Sequence, residues 1–145
     1  MSNAGKYDSD FHAWAFEQAE LLRAGRLTEA DVVNIAEEIE SMGRSEKREL
    51  VSRLEVLLTH LLKWRYQSGL RGNSWRLTIR EQRRKLERHL ADNPSLRAGL
   101  DTAMADAYGD AILDAQRETG LGDGAFPATC PWSEEQVMRD GFLPE

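Results

Sequence analysis

Glu49-Leu50-Val51-Ser52-Arg53-Leu54-Glu55-Val56-Leu57-Leu58-Thr59-His60-Leu61-Leu62-Lys63-Trp64 decides the fold. Leu50, Leu54, Leu57, Leu58 and Leu61 recur at spacings of three and four. That is one face of an α-helix and cannot be one face of a strand, whose side chains alternate with a period of two. Ser45 is a good N-cap type ahead of this stripe, and Gly69 and Gly72 break the pattern after about Gln67.

Outward from this segment the same period continues. Upstream, Asp8-Ser9-Asp10 opens a helix carrying Phe11, Trp14, Ala15, Gln18 and Leu22, and Gly25 closes it. Thr28, with Asp31 three residues on, caps a second helix whose apolar face is Val32, Ile35, Ala36, Ile39 and Met42, and Gly43 is read as its stop. Downstream, Asn73-Ser74 starts a helix with Trp75, Ile79, Gln82, Leu86 and Leu90 inward. Pro94 marks the next boundary. A fifth helix carries Leu96, Leu100, Ala103, Ala107 and Ala111 and ends before Gly120. Ser133-Glu134-Glu135-Gln136 is a capping box for one short C-terminal helix, and Phe142-Leu143-Pro144 follow as a tail. No alternating stretch or hairpin signal argues for a strand. The expectation is an all-α, antiparallel bundle of five main helices plus a short C-terminal helix. It forms a single domain over residues 7–145, with a Gly/Pro-rich excursion at 120–132. Ser2-Asn3-Ala4 resembles a vector-derived remnant, and residues 1–6 are expected to be a tag-like or disordered N-terminus.

A chain of 145 residues with 41% hydrophobic and 30% charged residues fits one globular domain rather than a disordered one. No apolar window is long enough for a membrane span. The single cysteine, Cys130, excludes an internal disulfide framework and a cysteine-built zinc site. With no signal-peptide pattern at the start, a cytoplasmic location is expected.

The net charge of −6 is sharply partitioned. Residues 1–62 carry 7 basic and 12 acidic side chains, residues 63–97 carry 10 and 3, and residues 98–145 carry 2 and 10. Arg76, Arg80, Arg84 and Arg88 are spaced by four, and so are Asp106, Asp110, Asp114 and Glu118. Antiparallel packing about the turn at 93–94 would set Arg76 level with Asp110 and Arg80 level with Asp106, with Asp114 and Glu118 reaching towards Arg71 or Lys63. That pairing is preferred to a nucleic-acid stripe, although Trp64, Tyr66 and Trp75 lie near the basic helix and could stack on bases.

The best enzymatic idea is a metal site using Glu38, Glu40 and His60, with Glu37 beside them. A carboxylate-bridged bundle needs inward Glu and Glu-x-x-His. Here no Glu-x-x-His or His-Glu-x-x-His occurs, and these residues flank apolar faces rather than occupy them. The simpler expectation is that Glu38 or Glu40 meets Arg53 or His60 across a helix contact. Cys130 is expected to be a small buried residue under Trp132. No catalytic set assembles, so an enzyme is not the preferred reading and no cofactor is expected.

Several short motifs, taken in order, resemble a known bacterial family. They are Tyr7-Asp8 with Asp10-Phe11 and Trp14, Asn34-Ile35-Ala36-Glu37-Glu38-Ile39-Glu40, Gly43-Arg44-Ser45, His60-Leu61-Leu62-Lys63-Trp64 and Ser74-Trp75. Further on come Glu118-Thr119-Gly120-Leu121, Phe126-Pro127, Cys130-Pro131-Trp132 and Phe142-Leu143-Pro144. The family is domain of unknown function family 29, and the resemblance spans about residues 7–145. It implies a bacterial helical domain and brings no catalytic residue, cofactor or substrate. It makes His60, Lys63, Trp64 and Trp75 positions of interest, and Arg71, Arg76 and Arg80 join them as binding candidates on charge. The functional expectation is a helical module that binds a protein partner or itself. A metal- or small-ligand-binding bundle and a nucleic-acid binder through residues 76–88 are the alternatives.

Overall fold

The computed structural model describes residues 4–145. Every regular element among them is helical: α1 (Ala4–Ser9), α2 (Phe11–Arg23), α3 (Val32–Tyr66), α4 (Asn73–Asp92), α5 (Leu100–Thr119) and α6 (Glu134–Met138), with 3-10 turns at Leu27–Glu29, Ser68–Leu70 and Pro94–Gly99. No helix among the described residues is long and apolar enough to cross a membrane. The chain divides into two compact units, Met1–Ser45 and Glu46–Glu145.

In the first unit Asp10 caps α2 by accepting from the Ala13 amide at 3.1 Å. Gly25 ends α2 in the left-handed region, at φ 72°, and the next amide, Arg26, bonds back to the Leu21 carbonyl at 2.9 Å. Trp14 and Gln18 are the buried residues of α2. Both reach the start of α3: Trp14 Nε1 donates to Asp31 at 3.0 Å and Gln18 Oε1 accepts from the Asp31 amide at 2.7 Å. Asp31 also takes Asn34 Nδ2 at 2.8 Å. It is therefore Asp31, and not Thr28, that holds the α3 N-terminus, because Thr28 is spent in the preceding 3-10 turn.

The two helices expected on either side of Gly43 are one helix of 35 residues. A lone glycine in a helix costs about 1 kcal/mol. Here φ at Gly43 is not positive, no proline follows, and Arg44 ties the segment back through Glu37 at 2.8 Å and Glu40 at 3.6 Å. The bundle class stands, but the break at Gly43 does not exist.

The second unit holds the hydrophobic core. Leu50, Leu54, Leu57, Leu58, Leu61 and Leu62 of α3 are buried with Ile79, Leu86 and Leu90 of α4 and with Leu100, Ala103, Ala107 and Ala111 of α5. The α5 side of this core is largely alanine. A 3-10 turn occupies Pro94–Gly99, so α5 begins at Leu100 and Leu96 sits at the core's edge. Gly120, at φ 75°, ends α5. The Gly/Pro-rich segment is pinned by Tyr108, whose hydroxyl donates to the Pro127 carbonyl at 2.6 Å, and by Phe126, packed edge-on against Tyr66. The Ser133–Gln136 capping box is formed at the start of α6.

Candidate functional site

The C-terminal turn of α3, the 67–72 connection and the start of α4 bring four of the sequence candidates together. Lys63, buried along its stem, sets Nζ 4.6 Å from the centre of the Trp75 ring and 3.4 Å from Glu118. The Lys63–Glu118 pair is one of the two matches foreseen for that carboxylate. Arg71 donates Nε to the Trp64 carbonyl at 2.6 Å and lies over the Trp64 ring at 5.3 Å. Each cation of this corner thus meets an aromatic ring of its own chain, an arrangement that fixes the helix junction. His60 is half-buried beside it. Its Nδ1 is 2.8 Å from the Val56 carbonyl one turn back. Burial, aided by Lys63, lowers its pKa.

Glu38 and Glu40 do not meet His60. All three lie on α3, with twenty residues of one helix between Glu40 and His60, so the helix contact expected to join them is absent. Glu38 accepts a hydrogen bond from the Tyr7 hydroxyl, which pushes that phenol up to about 12. Arg53, also expected there, pairs with Glu49 at 2.9 Å.

The arginine ridge departs from expectation. Arg76, Arg80, Arg84 and Arg88 are exposed, and among the described residues none forms an ion pair with Asp106, Asp110, Asp114 or Glu118. Arg76 instead donates to Asn73 on its own helix. Two of these α5 acids meet α3. Glu118 reaches Lys63, while Asp114 pairs with Arg117 at 2.8 Å and crowds Glu55. Equal spacing identified two ridges, but it did not fix the direction in which either points.

A cluster absent from the sequence reading is Glu46, Glu49 and His89, whose ligand-type atoms lie within 4.8 Å of one another. His89 is buried. Its Nε2 is 2.8 Å from the Glu46 carbonyl and its Nδ1 3.4 Å from Glu49 Oε2. Glu49 also takes two guanidinium nitrogens of Arg53, and Lys85 and Arg88 line the same cavity. With that much positive charge present, the donor set suits a hydrogen-bonded clamp between α3 and α4 better than a divalent cation. Forty residues separate the carboxylates from the histidine, so spacing gave no signal of it.

Cys130 is half-buried, with Sγ 3.5 Å from the Trp132 carbonyl, and burial pushes its thiol pKa up. That is the character of a packing residue rather than a nucleophile.

The family model "Domain of unknown function DUF29" matches residues 6–143. The chain belongs to the DUF29 family. No curated protein and no solved structure matches it. Within this DUF29 chain the motifs at 60–64 and 74–75 are the ones that build the Lys63–Trp75 corner. The motif at 34–40 lies on the part of α3 whose apolar stripe remains uncovered.

Proposed function

We propose that this DUF29 chain is a bacterial, cytoplasmic helical oligomerisation module whose docking face is the N-terminal part of α3. One observation carries the proposal. Val32, Ile39 and Met42, expected inward, are 58%, 63% and 68% exposed, and neighbouring Val33 is 81% exposed. Val32, Ile35, Ile39 and Met42 follow spacings of three, four and three, the repeat of a helix–helix seam. Ala36 and Gly43 beside them are small enough for another helix to approach closely.

The flanking acids are already engaged within the chain. Glu37 and Glu40 hold Arg44, Glu38 holds Tyr7 and Asp31 holds Trp14. Two such seams related by a two-fold axis bury each other and close the assembly. A second copy is the partner that the geometry favours, and neither a cofactor nor nucleic acid takes part.

Sedimentation equilibrium tests this. The chain should dimerise with a dissociation constant near or below about 10 µM. Ile39→Lys combined with Met42→Glu should give a monomer of unchanged helicity. A wild-type chain still monomeric at about 1 mM would remove the proposal.

A further inference from the structure

Arg83 is the arginine of α4 that folding buries, at 4% exposure. Its Nε donates to the Val137 carbonyl at 2.8 Å, and its guanidinium carbon lies 5.9 Å from the centre of the Phe142 ring. Nη2 is buried with no hydrogen-bond partner. Arg83 forms no ion pair among the described residues, and Asp140 acts on it only from a greater distance. A buried guanidinium with an unmatched donor is costly unless something supplies the acceptor.

Two cavities, of about 340 and 210 Å³, adjoin Arg83 and share Arg80, Arg83 and Asp140 in their walls. Arg76, Ile79 and Leu143 also line the larger, and Arg84 and Glu87 the smaller.

We propose that this cleft between α4 and the C-terminal segment binds a small phosphate monoester. Its dianionic head would sit on Arg80 and Arg83 and its organic part on Ile79 and Leu143. The guanidinium fork matches phosphate oxygens two at a time. Four arginines outweigh the two carboxylates of the walls, so the site is positive despite the acidic chain. The larger cavity is at the small end of the range for ligand pockets. A recessed arginine beside an apolar wall suits a compact end group better than a polymer backbone. All these residues belong to the second unit, so the inference is independent of self-association.

Calorimetric titration of the full chain with phenyl phosphate, inorganic phosphate and phenol tests it. Phenyl phosphate should saturate with a dissociation constant below about 1 mM, inorganic phosphate should bind more weakly, and phenol should not bind. Arg80→Gln should weaken phenyl phosphate about tenfold, and Arg83→Lys should abolish its binding while the circular dichroism stays helical. If Arg83→Lys fails to fold, the exposed Arg80→Gln variant decides alone. No saturation by about 10 mM phenyl phosphate, or an unchanged affinity in Arg80→Gln, would overturn the proposal. So would a single-stranded oligonucleotide that binds through Arg84 and Arg88 while phenyl phosphate does not bind.

Discussion

The same kind of amphipathic helix serves the two units differently. In the first, the α2 side chains that leave solvent are Trp14 and Gln18, both used to hold Asp31, while the apolar stripe of α3 faces outward. In the second, a leucine row of the same helix is wholly covered. Both stretches carry the helical period, so periodicity does not tell a covered face from an uncovered one. What distinguishes them is the supply of neighbours: α4 and α5 bring a leucine and alanine surface to the second unit. A helix pair as short as the first unit cannot enclose a core alone.

The largest expected effect tests this contrast directly. Leu58→Ala should cost about 3 kcal/mol in urea unfolding, through lost transfer energy and the cavity left behind. Ile39→Ala, measured at a concentration where the chain is monomeric, should stay within about 0.5 kcal/mol of wild type. Equal losses at the two positions would mean that the α3 stripe is covered within the monomer, and the contrast would fail.

Gly43→Ala comes next and tests whether α3 is one rod. A glycine that ends a helix in the left-handed region resists alanine. Gly43 lies inside α3, its φ is not positive, and a Cβ added there meets nothing within 4 Å. Alanine should therefore stabilise the chain by about 1 kcal/mol, read as a rise in the thermal midpoint. A loss would restore the break that the sequence suggested.

These two tests also mark what was legible in the sequence. The leucine stripe, the α4 stripe and the Ser133 capping box depend on residues within a few turns of one another, and each appears where the spacing placed it. Gly43 misled because a helix-stopping glycine and a tolerated one look alike without the backbone angle. The His89 clamp joins residues forty positions apart, which spacing cannot reveal. The arginine ridge is conspicuous by its regularity, whereas the buried arginine of α4 is Arg83. Its signal was present: Ile79, Arg83, Leu86 and Leu90 share one helical stripe, so Arg83 occupies a core position that its charge obscured.

The smallest effect concerns two carboxylates that titrate with opposite signs, Asp31 in the first unit and Glu55 in the second. In the first, hydrogen bonds from Asn34 and Trp14 hold Asp31 below its ordinary range, and Arg26 does the same for Glu29. Such groups stabilise the fold above the unfolded-state pKa, and that contribution is lost as pH falls through the folded value. In the second, burial and the neighbouring Asp114 raise Glu55. A raised carboxyl contributes stability below its unfolded pKa and loses it as pH rises through the folded value. At pH 7 the ionised Glu55 faces Asp114 unfavourably, so Glu55→Gln should raise stability there by about 0.5 kcal/mol. The gain should vanish below about pH 4, where the wild-type carboxyl is already neutral. Thermal midpoints of both proteins between pH 3 and pH 8 give the comparison. Asp31→Asn should behave oppositely, destabilising at neutral pH and losing its effect in acid. If Glu55→Gln is neutral throughout, the acids of α5 do not crowd α3, and the arginines of α4 would again be the natural place to look for their partners.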